Sequence, residues 1–134
     1  MAIEPMNDPA HGKQRHGLVR SFGYAFAGLA HFVRTQRNAR IEIVAALIAC
    51  ALGAWLRIGR EDWAILTLTI AMVLILEGVN TAIEIAVDLS TPQVHPMAKT
   101  AKDIAAGMVL LAAIASIVVG IAIFAPLLWN RLVK

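Results

Sequence analysis

EGVNTAIEIAVD, Glu77 to Asp88, follows without a break on the uncharged apolar run Trp63 to Leu76. On a helix that advances about 100° per residue, Glu77, Asn80, Thr81, Glu84 and Asp88 fall within an arc of roughly 100°. One polar stripe therefore runs along an otherwise apolar rod. An acidic residue at the middle of a bilayer costs about 2.5 to 3.5 kcal/mol, so several of them need compensation. A metal ion, a basic partner, a water-filled cleft or protonation of the acids can each supply it.

The rest of the chain says that a bilayer is the setting. Of its 134 residues 59% are hydrophobic and only 16% charged, far from a soluble average, and the class this implies is an all-α integral membrane protein. The net charge of +3 does not point to nucleic acid, because the basic residues gather at the N-terminal part, the short loops and the C-terminal end. There they serve as anchors at lipid headgroups. Cys50, the single cysteine, lies in an apolar run and can form neither an intrachain disulfide nor a CxxC metal site. Met1 to Gly17 has no apolar segment of the kind that a cleavable signal carries, and residues 1–17 are expected to be a disordered tail. The sequence contains no phosphate-binding GxxxxGK[ST] loop and no HRD or DFG triplet.

Residues 18–134 read as one membrane domain. Leu18, Phe22, Phe26, Leu29, Phe32 and Val33 recur every three or four residues, and the spacing predicts an amphipathic surface helix over 18–35. Arg34, Arg37 and Arg40 precede the uncharged run Ile43 to Leu56, and a first span is expected over about 39–57. RIGRED, Arg57 to Asp62, is a tight turn, and a second span carries the polar stripe over about 62–89. Pro92 and Pro96 then forbid a continuous helix, with Ser90 or Thr91 available as a cap and His95 read as a loop residue. A third span over about 97–129 opens with Lys99, Lys102 and Asp103 and is uncharged from Ile104 to Trp129. Its small residues, among them Ala105, Gly107, Ala113 and Gly120, allow close helix approach. Six basic residues before the first span outweigh the two in the turn, which places the N-terminus and the loop from Asp88 to Lys102 on the cytoplasmic side.

In that topology Glu84, Asp88, Lys99, Lys102 and Asp103 meet at the cytoplasmic interface, with Glu77 roughly 16 Å deeper than Asp88 at 1.5 Å per residue. Phosphoryl transfer needs carboxylates to hold Mg²⁺, cations for the transferring group and a base for the attacking hydroxyl. All three kinds of group are present. The residues alone also leave open a small oligomeric proton-coupled transporter using Glu77 or Glu84 as carrier, and a non-catalytic scaffold.

EGVNTAIEIAVD, HPMAKTAKDIAAG at His95 to Gly107 and SFGYAFAGL at Ser21 to Leu29 together resemble the prokaryotic diacylglycerol kinase family, the small integral-membrane lipid kinases that include undecaprenol kinase. The similarity covers about Arg20 to Trp129. It implies a homotrimer of three-span subunits in the bacterial inner membrane, with active sites shared between neighbours and ATP-dependent phosphorylation of a lipid alcohol, undecaprenol or diacylglycerol. By motif position Glu77 would be the base and Glu84 a ligand of the Mg²⁺ that accompanies ATP. Asn80 and Asp88 would shape the site, Lys102, with Lys99 beside it, would meet the phosphates, Asp103 would orient its neighbours, and Arg20 would bring a cation from the surface helix. The HPxAKxAKDxAAG form is more similar to the undecaprenol-type branch. The chain departs from the family at Gln36, where an acid usually precedes Arg37 and Asn38 and helps to hold the metal. A neutral amide there implies lower metal affinity, partial substitution by Glu42, or a catalytically impaired member.

Overall fold

The computed structural model describes residues 17–90 and 95–133, all of them helical apart from short connections. Residues 1–16 of the expected tail over 1–17 and the connection 91–94, with Thr91 in it, lie outside the described residues. Four helices follow one another: α1 (Leu18–Thr35), α2 (Arg37–Leu56), α3 (Arg60–Ser90) and α4 (Pro96–Leu132). The chain divides into two units, Met1–His31 and Phe32–Lys134.

In the first unit α1 starts where the Arg20 and Ser21 amides donate to the Gly17 carbonyl, at 2.8 and 3.3 Å. It buries none of its residues, and Phe22, Phe26 and Leu29 stand exposed.

The second unit is a bundle of three helices, each long and apolar enough to cross a membrane. In it α3 packs mainly on α4 and less extensively on α2. Leu68, Leu110 and Val118 are among many large apolar side chains that face outward. Such a surface is stable only against hydrocarbon or other protein.

The connection between α2 and α3 is tighter than charge alone suggests. Arg57 sits in the left-handed region at φ 55°, ψ 51°, and its amide donates to the Ala54 carbonyl while that of Ile58 donates to Gly53, closing a Schellman motif. Gly53 allows a close approach here, because a Cβ would stand 3.0 Å from Ile58 Cδ1 and 3.3 Å from the Trp63 ring. With the turn finished by Gly59, α3 begins at Arg60, three residues before its apolar run, with Glu61 and Asp62 in the first turn, where the helix dipole favours them. An L-residue pays for the left-handed conformation and glycine does not, so Arg57→Gly is expected to stabilise the fold by about 0.5–1 kcal/mol. Thermal unfolding in detergent measures it; a lowered midpoint would show that the Arg57 side chain contributes more than its backbone costs.

At the start of α4 the cap is His95, neither Ser90 nor a residue of the undescribed connection. His95 Nδ1 accepts from the Met97 amide at 3.2 Å, and Pro96 takes the first helical position, which needs no amide hydrogen. Ser90 instead ends α3, donating to the Ala86 carbonyl at 2.6 Å. Near the other end α4 runs through Pro126, as membrane helices tolerate. Arg131 Nη1 donates to the Trp55 carbonyl at 3.2 Å and its guanidinium lies over the Trp55 ring, joining the ends of α2 and α4 through an otherwise unpaired helix-terminal carbonyl and a cation–π contact. Beside this end sits the apolar core, Leu56, Ile58, Leu66, Ile123 and Phe124. The polar stripe of α3 lies toward the other end.

Candidate active site

The predicted polar arc of α3 faces inward for its first three members. Glu77 is 2% exposed, Asn80 9% and Thr81 7%; Glu84 is half-buried and Asp88 exposed. The stripe thus runs from an enclosed carboxylate to an open one over three helical turns. Helical period alone identifies Thr81 as part of it, although no role follows from its type.

The acid beside Glu77 comes from another helix. Glu42, half-buried in the second turn of α2, lies within electrostatic reach of Glu77. The arrangement also leaves acceptors without donors. Glu42 Oε2 and Asn80 Oδ1 are buried with no hydrogen-bond partner, while Asn80 Nδ2 donates a long bond of 3.4 Å to Glu84 Oε1. Buried oxygens almost always have a partner, so each of these two acceptors has spare capacity suited to a cation.

That donor set fits Mg²⁺ in one particular way. Among the described residues no three acidic, histidine or cysteine groups stand close enough to hold a metal by themselves. Mg²⁺ is commonly held by one or two carboxylates, with substrate phosphates and water completing its shell. Carboxylate and amide oxygens are the hard ligands it takes.

The two lysines differ in what they meet. Lys102 Nζ reaches Asp88 Oδ1 at 2.5 Å, across from α4 to α3, and its side chain is partly covered. Lys99 pairs within its own helix, with Asp103 Oδ2 at 2.5 Å, and both of those side chains are well exposed. Lys102 is therefore aligned with the stripe, and Asp103 is engaged with Lys99 instead of with its neighbour Lys102. Gln36 is the N-cap residue of α2, half-buried, with extended backbone and no side-chain capping bond. Helical period sets its position about 120° around from that of Glu42 and about 9 Å along the axis, so Gln36 and Glu42 do not share a face. Arg20 belongs to the first unit, on α1.

Comparison with known proteins places the chain in a family. The family Prokaryotic diacylglycerol kinase matches residues 23–124. A protein from Synechocystis sp. named diacylglycerol kinase is 44% identical over 117 residues, which are 87% of this chain and 67% of the relative. Undecaprenol kinase of Bacillus subtilis is 37% identical over 121 residues, 90% of this chain and 98% of that protein. Diacylglycerol kinase of Escherichia coli K12 is 30% identical over 114 residues, 85% and 90% of the two chains. An all-helical bundle with three membrane-length helices, an inward polar stripe and this similarity over most of its length make the chain a bacterial membrane protein that belongs to the prokaryotic diacylglycerol kinase family of lipid kinases.

Proposed function

We propose that the chain transfers the γ-phosphoryl group of ATP to the hydroxyl of a membrane lipid alcohol, undecaprenol or diacylglycerol, at the cytoplasmic face of the inner membrane. The observation that carries this reading is the enclosed carboxylate of Glu77, with Glu42 beside it and Lys102 toward the open end of the same stripe. In the reaction the hydroxyl oxygen forms a bond to the γ-phosphorus, the bond from that phosphorus to the oxygen shared with ADP breaks, and the hydroxyl proton passes to Glu77. Glu77 is the base; burial in a wall of apolar residues suits it to meet a lipid hydroxyl and to exclude water from the transfer. Lys102, held by Asp88, neutralises phosphate charge. Glu84, with Glu42 as second acid and the Asn80 carbonyl, would hold Mg²⁺, which when bound offsets negative charge on the phosphates. Asp103 keeps Lys99 at the mouth of the site.

The remaining elements complete the assembly. Exposed Phe22, Phe26 and Leu29 fit α1 to lie on the membrane surface, with Arg20 as a further phosphate-contacting cation. The outward apolar surface of the three spans fits packing as a homotrimer with shared sites. The basic residues before α2 fit an N-terminus on the cytoplasmic side. A proton-coupled transporter, the other reading of the acids, gains nothing from the family match.

The test supplies labelled ATP to membranes containing the chain, with undecaprenol or diacylglycerol added separately, and follows label into the organic phase. Transfer to either alcohol is the expected result; transfer to neither, with ATP and Mg²⁺ in excess, would overturn the reading.

Gln36 has its own expected signature. A carboxylate near a bound Mg²⁺ adds Coulomb attraction that an amide lacks, so Gln36→Glu is expected to lower the Mg²⁺ concentration for half-maximal activity by about tenfold, with lipid preference unchanged. Activity titrated against free Mg²⁺ at fixed ATP measures it. Coincident curves would remove Gln36 from the metal site and leave Glu42 as the acid of α2 that serves it.

A further inference from the structure

The cap of α4 is a titratable group, and the reaction described above gives it no part. His95 holds the first turn twice over. Its ring Nδ1 accepts from the Met97 amide at 3.2 Å and its carbonyl accepts from the Lys99 amide, also at 3.2 Å; Pro96 between them has no amide hydrogen to satisfy. The turn adjoins α3. His95, Met97 and Ala98 line a shallow concavity of about 370 Å³ together with Ala86, Val87 and Ser90 near the end of α3. Asp88, which follows Val87, takes the ion pair from Lys102 across the same junction. The first turn of α4 therefore lies beside the contact that holds Lys102 against the polar stripe.

We propose that His95 is a positioning residue for Lys102 and acts only in its neutral form, so that acidification loosens the start of α4 and weakens the hold on ATP. The proposal rests on the lipid-kinase reading above, in which Lys102 meets the phosphates. An imidazole nitrogen accepts a hydrogen bond only while it carries no proton, and imidazole ordinarily titrates between about pH 5 and 8. Protonation removes the acceptor at Nδ1 and sets a positive charge at the N-terminus of α4, where the helix dipole opposes it. A cap made by the neutral ring is thus fully present above the imidazole range and is lost as pH falls through it. No charged side chain lines the concavity with His95, since Ala86, Val87 and Ser90 on α3 and Met97 and Ala98 on α4 are all uncharged. The next charged groups along the two helices are engaged with one another, Asp88 with Lys102 and Lys99 with Asp103, and Glu84 lies a further turn back, beside Asn80. The ring itself is the group at this junction whose bonding changes in that pH range.

The test compares the unaltered protein with His95→Asn, whose amide oxygen also caps a helix but does not titrate. Measurements at about pH 7.5 and about pH 5.5 bracket most of the imidazole range. Hydrogen exchange at the Met97 and Lys99 amides, in nanodiscs, reads the cap without turnover. Loss of a cap shifts a local equilibrium by about fivefold, so the protection factors are expected to fall by about that much on acidification in the unaltered protein and to stay level in His95→Asn. The KM for ATP should rise by about the same factor over this interval, relative to His95→Asn. That ratio cancels the titration of ATP and of the site carboxylates. His95→Ala, which has no cap at either pH, should show the raised KM at both. Equal pH profiles for the unaltered protein and His95→Asn would overturn the proposal, and so would a KM for His95→Asn that matches His95→Ala, since the ring would then act by contact and not as a cap. Protection that falls as expected in a protein that phosphorylates no alcohol at either pH would sink the kinase reading and leave the titrating cap in place.

Discussion

Glu77→Gln is expected to abolish lipid phosphorylation to within about 10²- to 10⁴-fold below the unaltered protein, the range over which general bases contribute. The substitution keeps the side chain's volume and removes its charge. Glu77 is almost wholly enclosed, so a change of shape there would disturb packing, but an amide of the same size does not. Thermal stability should accordingly change little, while kcat collapses. That combination separates a base from a structural acid, for which lost activity and lost stability would move together. The KM for the lipid should change little, since the proton moves only in the transition state. Turnover near that of the unaltered protein would remove Glu77 from the chemistry.

Lys102→Ala is expected to lower kcat/KM for ATP by about 10²-fold, as loss of one positioned charge-stabilising donor usually does, against a few-fold at most for Lys99→Ala. The two residues are three positions apart on one helix and carry the same charge, so net electrostatics at the interface changes equally in both variants. Their partners differ. Lys102 crosses to Asp88 at the end of the polar stripe, while Lys99 pairs with Asp103 on its own helix in the open. Neither pair contributes much to folding, because ion pairs with exposed members are worth roughly 0–1 kcal/mol, and both variants should fold. Steady-state kinetics with ATP as the varied substrate decides the matter. Equal losses would mean that bulk positive charge at the membrane surface acts, and not a positioned contact.

Much of this architecture follows from local physics and is therefore legible in the chain alone. Three largely apolar stretches lead to three helices long enough to cross a membrane, because an unpaired backbone cannot cross hydrocarbon. The inward stripe at Glu77, Asn80 and Thr81 follows from helical period, since residues that share a phase share a face. The start of α4 at Pro96 follows from the ring of proline, which fits a first helical position and no interior one without cost.

Other features depend on groups distant in sequence. Glu42 and Glu77 are on different helices, and only the packing of α2 on α3 sets the two carboxylates together. The choice of Lys102 over Lys99 as the residue that meets the stripe depends on how α4 is rotated against α3, which charge and spacing leave undetermined. His95 becomes a cap because its ring turns back to the Met97 amide, and α3 starts as early as Arg60 because Gly53 and the left-handed Arg57 let the chain reverse at once. Sequence period determines which face of a helix is polar and which is apolar, but the distance and rotation between helices come from side-chain packing summed over the whole bundle, and a site shared by several helices takes its geometry from that sum.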